Sequence, residues 1–539
     1  MKKTLAFLIL NASFLILHSQ SQPKLVVGIV IDQMRYDYIS KYWNKYGDDG
    51  FKRIVTGGFF CKNTHYNYTP TFTGPGHAAI YTGCTPSQNG IIANDWYDRE
   101  SKAYVYCVED KNVQTLGGRE NSGSMSPKRM MAPTVCDQLK TSTNFQSKVI
   151  GIALKDRGAI LSAGHSANAA YWYDGKTGKF ISSTYYMKAL PAWINEFNGK
   201  MLPQQYLNTT WTTLLPIEQY TESIADDNNF EEPFKTKTKP IFPYNLKELM
   251  KENENLGMIR STPFGNTLTT DVAISAIKGE NLGKGNFTDM LTVSYSATDY
   301  VGHRFGPTSV EVEDTYLRLD KDLAIFFTFL DSWVGKNNYL LFVTADHGAV
   351  EVPAYLKANK IPAGNFNEGE LEKKLKILLK NTYNDSLVLS IGNQQVYLNE
   401  PRISELKLAK KDVYETIINV VLKMEEVASV YTDEQINNWS QVDGIKYFIE
   451  NGYNQKRSGN IIINLKANWI GNETIKGTTH GSAYNYDTHA PLIWYGWNIK
   501  AGSTNEKVNI TDIAPTLSNL LNIEVPAATS GVAIKELIK

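Results

Sequence analysis

The chain has 539 residues, of which 42% are hydrophobic and 12% aromatic, which is ample for a packed globular enzyme. This length exceeds what one simple hydrophobic core usually holds, so we expect a large α/β body that carries substantial insertions. Lys and Arg total 55, as do Asp and Glu, which excludes a global field that would attract nucleic acid or an acidic membrane surface.

The first 20 residues have the pattern of a secretory signal peptide. Two lysines precede the apolar run 4–17, and a polar stretch follows it. The run is too short for a confident membrane-spanning helix, which needs ~20 apolar residues. We therefore expect residues 21–539 to form a soluble, exported protein, periplasmic or secreted.

A strand buried on both faces is predicted at residues 25–31, where all residues but one are Leu, Val or Ile. Runs of the same character recur at 290–295, 339–344 and 491–495. An aspartate follows each of the first three runs, at once or within a few residues: Asp32, Asp299 and Asp346. Because the carboxyl ends of strands line the ligand crevice of open α/β sheets, we expect these carboxylates to meet in one site.

The segment Thr69–His77 carries a candidate nucleophile, Thr73, and two glycines. A helix that begins after Pro75 would direct its first amide groups at an anion. His77 is expected to pack or hydrogen-bond beneath the start of this helix.

Four cysteines lie in the first quarter of the mature chain: Cys61, Cys84, Cys107 and Cys136. Their spacing matches no cysteine-based zinc site, and an exported protein permits three pairings of four cysteines. We expect one or two structural disulfides.

Helical apolar spacing marks residues 268–277, 371–380 and 510–521. Two long stretches, near 162–254 and 352–476, lack residues of the kind that form catalytic sites and are rich in Asn, Tyr, Lys and turn signals. We expect both stretches to be insertions that cap or flank the crevice.

One set of candidate metal ligands combines a helix with a downstream loop. Asp299 and His303 stand four residues apart, a spacing that places both side chains on one face of a helical turn. His480 would be the third ligand of this set. His489 is its rival, since both histidines precede the final strand.

A second set centres on Asp346 and the adjacent His347. These neighbours can reach one metal ion only where the strand has given way to a turn, and Gly348 supplies that break. Asp32 would complete the set. Mixed carboxylate and imidazole ligands suit zinc, and an open coordination position is typical of catalytic rather than structural zinc.

The order of these residues along the chain, with the phrases Ala-Asp-His-Gly and Thr-Gly-Pro-Gly-His, resembles the alkaline phosphatase superfamily. A closer resemblance, to the phosphate-irrepressible alkaline phosphatases of Bacteroidetes, rests on the threonine nucleophile with Asn94, Lys155 and Arg157. Those enzymes are related to the nucleotide pyrophosphatase/phosphodiesterases. The resemblance runs from Asp32 to the C-terminal helix, and the inserted segments are its least diagnostic part.

The resemblance implies a large mixed, mostly parallel sheet flanked by helices, with inserted cap segments. It also implies two zinc ions, the first bound by Asp299, His303 and His480, the second by Asp32, Asp346, His347 and Thr73. Two metals ~3.5–4 Å apart can clamp the attacking and leaving oxygens of a phosphoryl displacement. The implied reaction is hydrolysis of a broad range of phosphate monoesters through a phospho-threonine intermediate, with release of inorganic phosphate.

Asn94, Lys155 and Arg157 favour monoesters over diesters on this interpretation. An amide, an ammonium and a guanidinium can contact the charged oxygens of a monoester dianion, whereas a diester replaces one such oxygen with a bulky group. We find no counterpart of the third, magnesium site of enterobacterial alkaline phosphatases, and the lysine and arginine take over its task.

Three other functions compete with this interpretation. A sulfatase needs Cys or Ser in a Cys/Ser-x-Pro-x-Arg frame, and Thr73-Gly-Pro-Gly makes that activity unlikely as the main one. A phosphodiesterase on the same scaffold is the nearest rival enzyme, and a non-catalytic phosphate- or zinc-binding protein is the rival of another class. We expect small-molecule monoesters as partners, no nucleic acid, and a monomer.

Overall fold

The computed structural model describes residues 22–471 and 476–538, so the predicted signal peptide at 1–20 lies outside the described residues. The strands are β1 (Leu25–Ile31), β2 (Phe59–His65), β3 (Asp95–Asp98), β4 (Ala103–Tyr106), β5 (Thr115–Leu116), β6 (Val149–Ala153), β7 (Ala169–Asp174), β8 (Lys179–Ser183), β9 (Thr210–Trp211), β10 (Tyr244–Asn245), β11 (Asp289–Tyr295), β12 (Tyr339–Thr344), β13 (Gly364–Asn365), β14 (Val388–Gly392), β15 (Gln395–Leu398), β16 (Val427–Thr432), β17 (Ile461–Leu465), β18 (Trp469–Ile470), β19 (His489–Gly496) and β20 (Gly502–Asn509).

The α-helices are α1 (Tyr38–Lys41), α2 (Phe51–Gly57), α3 (Thr73–Thr82), α4 (Pro86–Asn89), α5 (Val135–Ser142), α6 (Asp156–Ala163), α7 (Ala192–Gly199), α8 (Leu202–Leu207), α9 (Leu246–Leu249), α10 (Phe264–Glu280), α11 (Ala297–Phe305), α12 (Val310–Trp333), α13 (Pro353–Ala358), α14 (Glu368–Tyr383), α15 (Glu400–Glu405), α16 (Lys410–Val421), α17 (Asp433–Ile436), α18 (Gly444–Gly452), α19 (Asn485–Thr488) and α20 (Ile513–Leu520). Short 3₁₀ helices lie at Trp43–Lys45, Pro127–Arg129, Ile217–Gln219, Asn255–Ser261 and Ile510–Asp512.

A ten-stranded mixed sheet forms the centre of the molecule, in the order β20-β2-β19-β12-β1-β11-β6-β7-β8-β5. Its middle is parallel, because β1 pairs in parallel with both β11 and β12, and β6 joins β11 and β7 in the same sense. Every residue of β1 is buried, as the unbroken apolar run requires. The predicted α/β class, a large mixed sheet flanked by helices, is confirmed.

The predicted strands are all present, and the last differs from the first three in direction. β19 runs antiparallel to both of its neighbours, β12 and β2. The predicted helices at 268–277 and 371–380 lie within α10 and α14, while the C-terminal pattern divides into a 3₁₀ turn and α20.

The helix after the nucleophile segment begins earlier than predicted. α3 starts at Thr73 itself, so Pro75 stands in its first turn. A proline is tolerated there because the first N–H groups of a helix have no intrahelical partner to lose. The candidate nucleophile is therefore the first residue of a helix.

Residues 366–465 contain a second hydrophobic core of their own. Strands β14, β15, β17 and β16 form a separate sheet in that order, and α14 and α16 pack on it. Thr69, which precedes the nucleophile, donates its N–H to the carbonyl of Phe448 in α18 (3.0 Å). This region thus contacts the chain that leads into α3. The other stretch, 162–254, is less separate, because it supplies β7 and β8 to the central sheet.

The expected disulfides are not formed. All four cysteines are buried and unpaired. They lie on different elements: the thiol of Cys136 in α5 contacts Met290 (3.4 Å), whereas Cys84 follows α3 and contacts Thr82 (3.3 Å). The prediction was wrong because clustering in sequence did not bring the thiols together in the fold.

Among residues 22–471 and 476–538, no helix combines the length and the apolar character needed to cross a lipid bilayer.

Candidate active site

Three parallel strands deliver the predicted carboxylates to one edge of the sheet. Asp32 follows β1 directly, Asp346 lies two residues beyond β12, and Asp299 lies in the first turn of α11, just after β11. The parallel pairing of β1 with both neighbours places these chain ends side by side. All three carboxylates are buried.

The first predicted ligand set is assembled around Asp299. Ligand atoms of Asp299, His303 and His480 all lie within 4.8 Å of one another. Nε2 of His303 is 3.1 Å from Oδ1 of Asp299, and Nε2 of His480 is 3.7 Å from the same oxygen. The rival His489 instead stacks on Tyr36, with ring centroids 3.9 Å apart, so it stands outside this set.

The second set is assembled beside the first. Ligand atoms of Asp32, Asp299 and His347 lie within 4.8 Å of one another, so Asp299 stands between the two sets. Nε2 of His347 is 3.5 Å from a carboxylate oxygen of Asp32 and 3.5 Å from one of Asp346. The structure therefore brings together all six predicted carboxylate and imidazole ligands.

The three imidazoles are oriented by backbone carbonyls. Nδ1 of His303 donates to Thr478 O (2.7 Å), and Nδ1 of His480 donates to Thr71 O (2.7 Å). In the same way, Nδ1 of His347 donates to Gly348 O (2.9 Å). A carbonyl can only accept, so each ring carries its proton on Nδ1 and presents the lone pair of Nε2 to the centre. Such outer hydrogen bonds fix the tautomer of metal-binding histidines.

The centre holds buried polar atoms that a bound cation would satisfy. Oδ1 of Asp32, Oδ2 of Asp346 and Nε2 of His347 are buried without a hydrogen-bond partner among the described residues. Burial, together with nearby Asp299, raises the pKa of Asp32 to about 6, and burial with Asp32 raises the pKa of Asp346 well above its usual value. Burial likewise lowers the pKa of His480 to about 3, which favours the neutral, metal-binding form. The donor set fits divalent cations such as zinc.

Lys155 contributes positive charge at the same centre. Its Nζ is 2.7 Å from Asp32, 2.5 Å from Asp299 and 3.3 Å from the hydroxyl of Thr73. Burial acts to lower the pKa of Lys155, but the charges of Asp299 and Asp32 outweigh it and raise that pKa. Lys155 therefore stands between the two ligand sets and the candidate nucleophile.

The start of α3 fits closely into this centre. Asn94 accepts the N–H of Gly74 through its Oδ1 (2.8 Å), which leaves its amide NH₂ as a donor toward the site. A Cβ at Gly76 would lie 2.5 Å from the carbonyl oxygen of Asp346, so only glycine permits this approach. His77 bonds Thr73 O and Ser294 Oγ, both at 2.9 Å, as predicted for a histidine beneath the helix start.

Arg157 is held by residues that the sequence analysis missed. Its Nη1 donates to the hydroxyl of Tyr106 (3.0 Å), and that hydroxyl donates to Asp156 (2.5 Å). Nothing in the sequence marks Tyr106, because it lies 51 positions from its arginine.

Two further supports were also missed. Gln33 donates its backbone N–H to Asp346 (3.1 Å) and its side-chain amide to Asp299 (2.8 Å), so it links two candidate ligands. Asp487 accepts the N–H groups of Gly481 (3.1 Å) and Ser482 (2.8 Å), and so fixes the loop that carries His480. The position of Gln33 directly after Asp32 in the sequence could have indicated its role in the site. No sequence pattern marks Asp487.

Comparison with known proteins agrees with this arrangement. The type I phosphodiesterase/nucleotide pyrophosphatase family matches residues 26–490. This chain belongs to that family, within the alkaline phosphatase superfamily. It is 47% identical to alkaline phosphatase PafA of Elizabethkingia meningoseptica, over 96% of this chain and 95% of the relative.

Two further likenesses extend over nearly the whole length. Alkaline phosphatase PhoV of Synechococcus elongatus is 47% identical over 96% of this chain and 94% of its own. The crystal structure of wild-type alkaline phosphatase PafA superimposes with a TM-score of 0.93 at 47% identity, covering 96% of this chain and 99% of the other. The resemblance inferred from the sequence motifs is confirmed.

Proposed function

We propose that this protein is an exported, zinc-dependent phosphomonoesterase that acts on a broad range of phosphate esters through a phospho-threonine intermediate. It is an alkaline phosphatase, that is, a phosphoric monoester hydrolase. The observation that carries the finer proposal is the position of Thr73 at the first turn of α3, beside Lys155 and the two ligand sets.

The ligands divide between two ions in this proposal. Asp299, His303 and His480 would hold one, and Asp32, Asp346, His347 and Thr73 the other. Zinc at these positions would supply the charge that lowers the pKa of the threonine hydroxyl and stabilises the oxygen of the departing alcohol. The buried unpaired oxygens of Asp32 and Asp346 support this division.

The chain's own groups account for the rest of the reaction. The hydroxyl of Thr73 gives up its proton to solvent and its oxygen attacks phosphorus. The ester P–O bond breaks, and the departing alkoxide takes a proton from water and leaves as the alcohol. Water then attacks phosphorus, and the bond to Thr73 breaks to release inorganic phosphate. At the start of α3 the N–H of Gly74 is taken by Asn94 and that of Gly76 by Phe72 O, which leaves the N–H of Thr73 to face the anion.

Asn94, Lys155 and Arg157 select the monoester. Ions bound to Asp32 and Asp299 would neutralise the carboxylates that Lys155 contacts, and leave its ammonium to pair with a substrate oxygen. The guanidinium of Arg157 and the amide of Asn94 would contact the other charged oxygens. We further propose that the inserted stretches near 162–254 and 352–476 cap the site, and that the mature protein is exported and monomeric.

Replacing the nucleophile tests the proposal. Thr73→Ala should abolish turnover of phenyl phosphate while the protein still binds zinc, and Thr56→Ala, which removes an exposed hydroxyl, should retain activity. Brief reaction with labelled ester, followed by acid quench and peptide mapping, should place the label on Thr73. A non-catalytic binding protein would show no turnover in either form.

The rival phosphodiesterase is tested with a matched pair of substrates. Phenyl phosphate and its methyl ester share a leaving group and differ in one charged oxygen, so the proposal requires the monoester to react faster. Removal of metal with a chelator and restoration with zinc or manganese separately would then identify the ion. A faster diester, or recovery with manganese alone, contradicts the proposal.

A further inference from the structure

A pocket of about 350 Å³ opens beside the candidate active site, next to the candidate metal ligand His303. Its lining includes Tyr300 and His303, and also the side chains of Arg260 and Arg304. A volume of this size suits a small organic group, since ligand pockets occupy roughly 300–1,000 Å³.

The pocket is placed to receive the alcohol part of an ester. The side chain of His303 is 35% exposed, whereas that of His480, in the same ligand set, is 4% exposed. The ring of Tyr300 lies 5.2 Å from Nζ of Lys155, the proposed phosphate-binding ammonium. A phosphoryl group held between Lys155 and the ligand sets would therefore direct its ester oxygen toward Tyr300 and His303.

Two arginines in the wall are held in place but use few of their donors. Arg304 donates Nη1 to Pro233 O (3.0 Å) and lies 4.7 Å from the ring centre of Phe234. Arg260 donates Nη2 to Tyr173 O (3.2 Å) and lies 5.7 Å from the ring centre of the same tyrosine. Nε of each is buried without a hydrogen-bond partner in the described part of the chain. Each guanidinium has five N–H groups in a planar fork, a geometry that matches phosphate.

The acidic residues of the pocket do not cancel this charge. Glu232 is 3.6 Å from Arg304, and its side chain is 52% exposed, while Glu254 is exposed. Exposed pairs of this kind are weak and exchange easily with other partners. Lys476 also lines the pocket, so the described lining residues include three cations and two carboxylates in a chain whose net charge is zero.

We propose that this pocket is a leaving-group subsite that favours phosphate monoesters whose alcohol carries a second phosphate group. The inference rests on the proposed function, because it requires the phosphoryl group under attack to lie at Thr73. The second phosphate is bound by the guanidinium groups of Arg260 and Arg304, and the intervening carbon chain passes Tyr300.

A series of linear diol bisphosphates, with two to six carbons, tests the subsite in the zinc-loaded enzyme. Each is compared with the n-alkyl monophosphate of equal length. A symmetric bisphosphate offers two equivalent phosphate groups, which alone raises kcat/KM by a statistical factor of about two. We expect kcat/KM for at least one bisphosphate to exceed that of its monophosphate by tenfold or more. Arg260→Gln should reduce this ratio about tenfold, and Arg260→Lys, which keeps the charge but not the planar fork, should reduce it less.

The control is Arg119→Gln, which removes one exposed positive charge outside this pocket and should leave the ratio unchanged. Calorimetric titration of zinc-loaded Thr73→Ala with the preferred bisphosphate provides a readout without turnover, and adding Arg260→Gln should weaken binding about tenfold. If no monophosphate is hydrolysed, the proposed function fails. If monophosphates react but no bisphosphate exceeds the statistical factor, or Arg260→Gln leaves both ratio and affinity unchanged, the subsite is refuted.

Discussion

Removing the hydroxyl of Tyr106 should weaken monoester hydrolysis although this residue is not proposed to touch the phosphate. The hydroxyl accepts from Nη1 of Arg157 (3.0 Å) and donates to Asp156 (2.5 Å). It therefore links the guanidinium of Arg157 to the carboxylate of the preceding residue. In Tyr106→Phe the guanidinium keeps its charge but loses this anchor. Tyr106 is thus a positioning residue for Arg157.

The size of the effect follows from the one bond that is lost. A hydrogen bond that involves a charged group contributes about 1.5–3 kcal/mol, and Arg157 keeps part of its alignment through the rest of its side chain. We therefore expect a loss at the lower end, about 1.5 kcal/mol, which corresponds to slightly more than tenfold in kcat/KM. Since Arg157 is proposed to favour the charged oxygens of a monoester, the ratio of monoester to diester rates should fall by a similar factor.

The assay compares phenyl phosphate with its methyl ester in wild type, Tyr106→Phe and Tyr42→Phe. Tyr42 is the control because its hydroxyl is buried without a partner among the described residues, so its loss should change neither rate. An equal loss for both substrates in Tyr106→Phe would indicate general damage to the site. A ratio within twofold of wild type would refute the positioning role.

Three further outcomes are expected. Chelation should abolish activity and also lower the melting temperature, because the buried carboxylates of Asp32 and Asp346 then repel each other with only Lys155 beside Asp32 to offset their charge. An unchanged melting temperature would contradict their role as ligands. Gly76→Ala should lower the unfolding free energy by about 1–3 kcal/mol, because its Cβ would lie 2.5 Å from Asp346 O. The control is Gly199→Ala, whose Cβ would meet nothing within 4 Å, and it should have little effect in thermal melting. Away from the site, burial raises the pKa of Glu311 to about 8 and that of neighbouring Glu231 above its usual value. At this pair of carboxyl groups the folded state binds more protons than the unfolded state above pH 4.5, so their contribution to stability should fall as pH rises from there to about 8. Glu311→Gln should reduce that slope in urea titrations at pH 5 and pH 8.

Local sequence pattern was sufficient for the central strands and the ligand types. The apolar runs at 25–31 and 339–344 match β1 and β12 residue for residue, because a strand buried on both faces favours a nearly continuous apolar run. The four-residue spacing of Asp299 and His303 likewise fixed their common helical face, since helical geometry is local. The order of the site residues, together with the phrases Ala-Asp-His-Gly and Thr-Gly-Pro-Gly-His, was sufficient to indicate the superfamily.

Tertiary structure decided everything that depends on residues far apart in the chain. It left the four cysteines unpaired, placed Asp299 between both ligand sets, and brought Tyr106 to Arg157. It also aligned the three imidazoles through carbonyl groups, which any residue can supply and no sequence pattern marks. Residue type and short-range spacing determine which chemistry is available, but distances between separate elements arise only when the sheet packs its helices and loops around one edge.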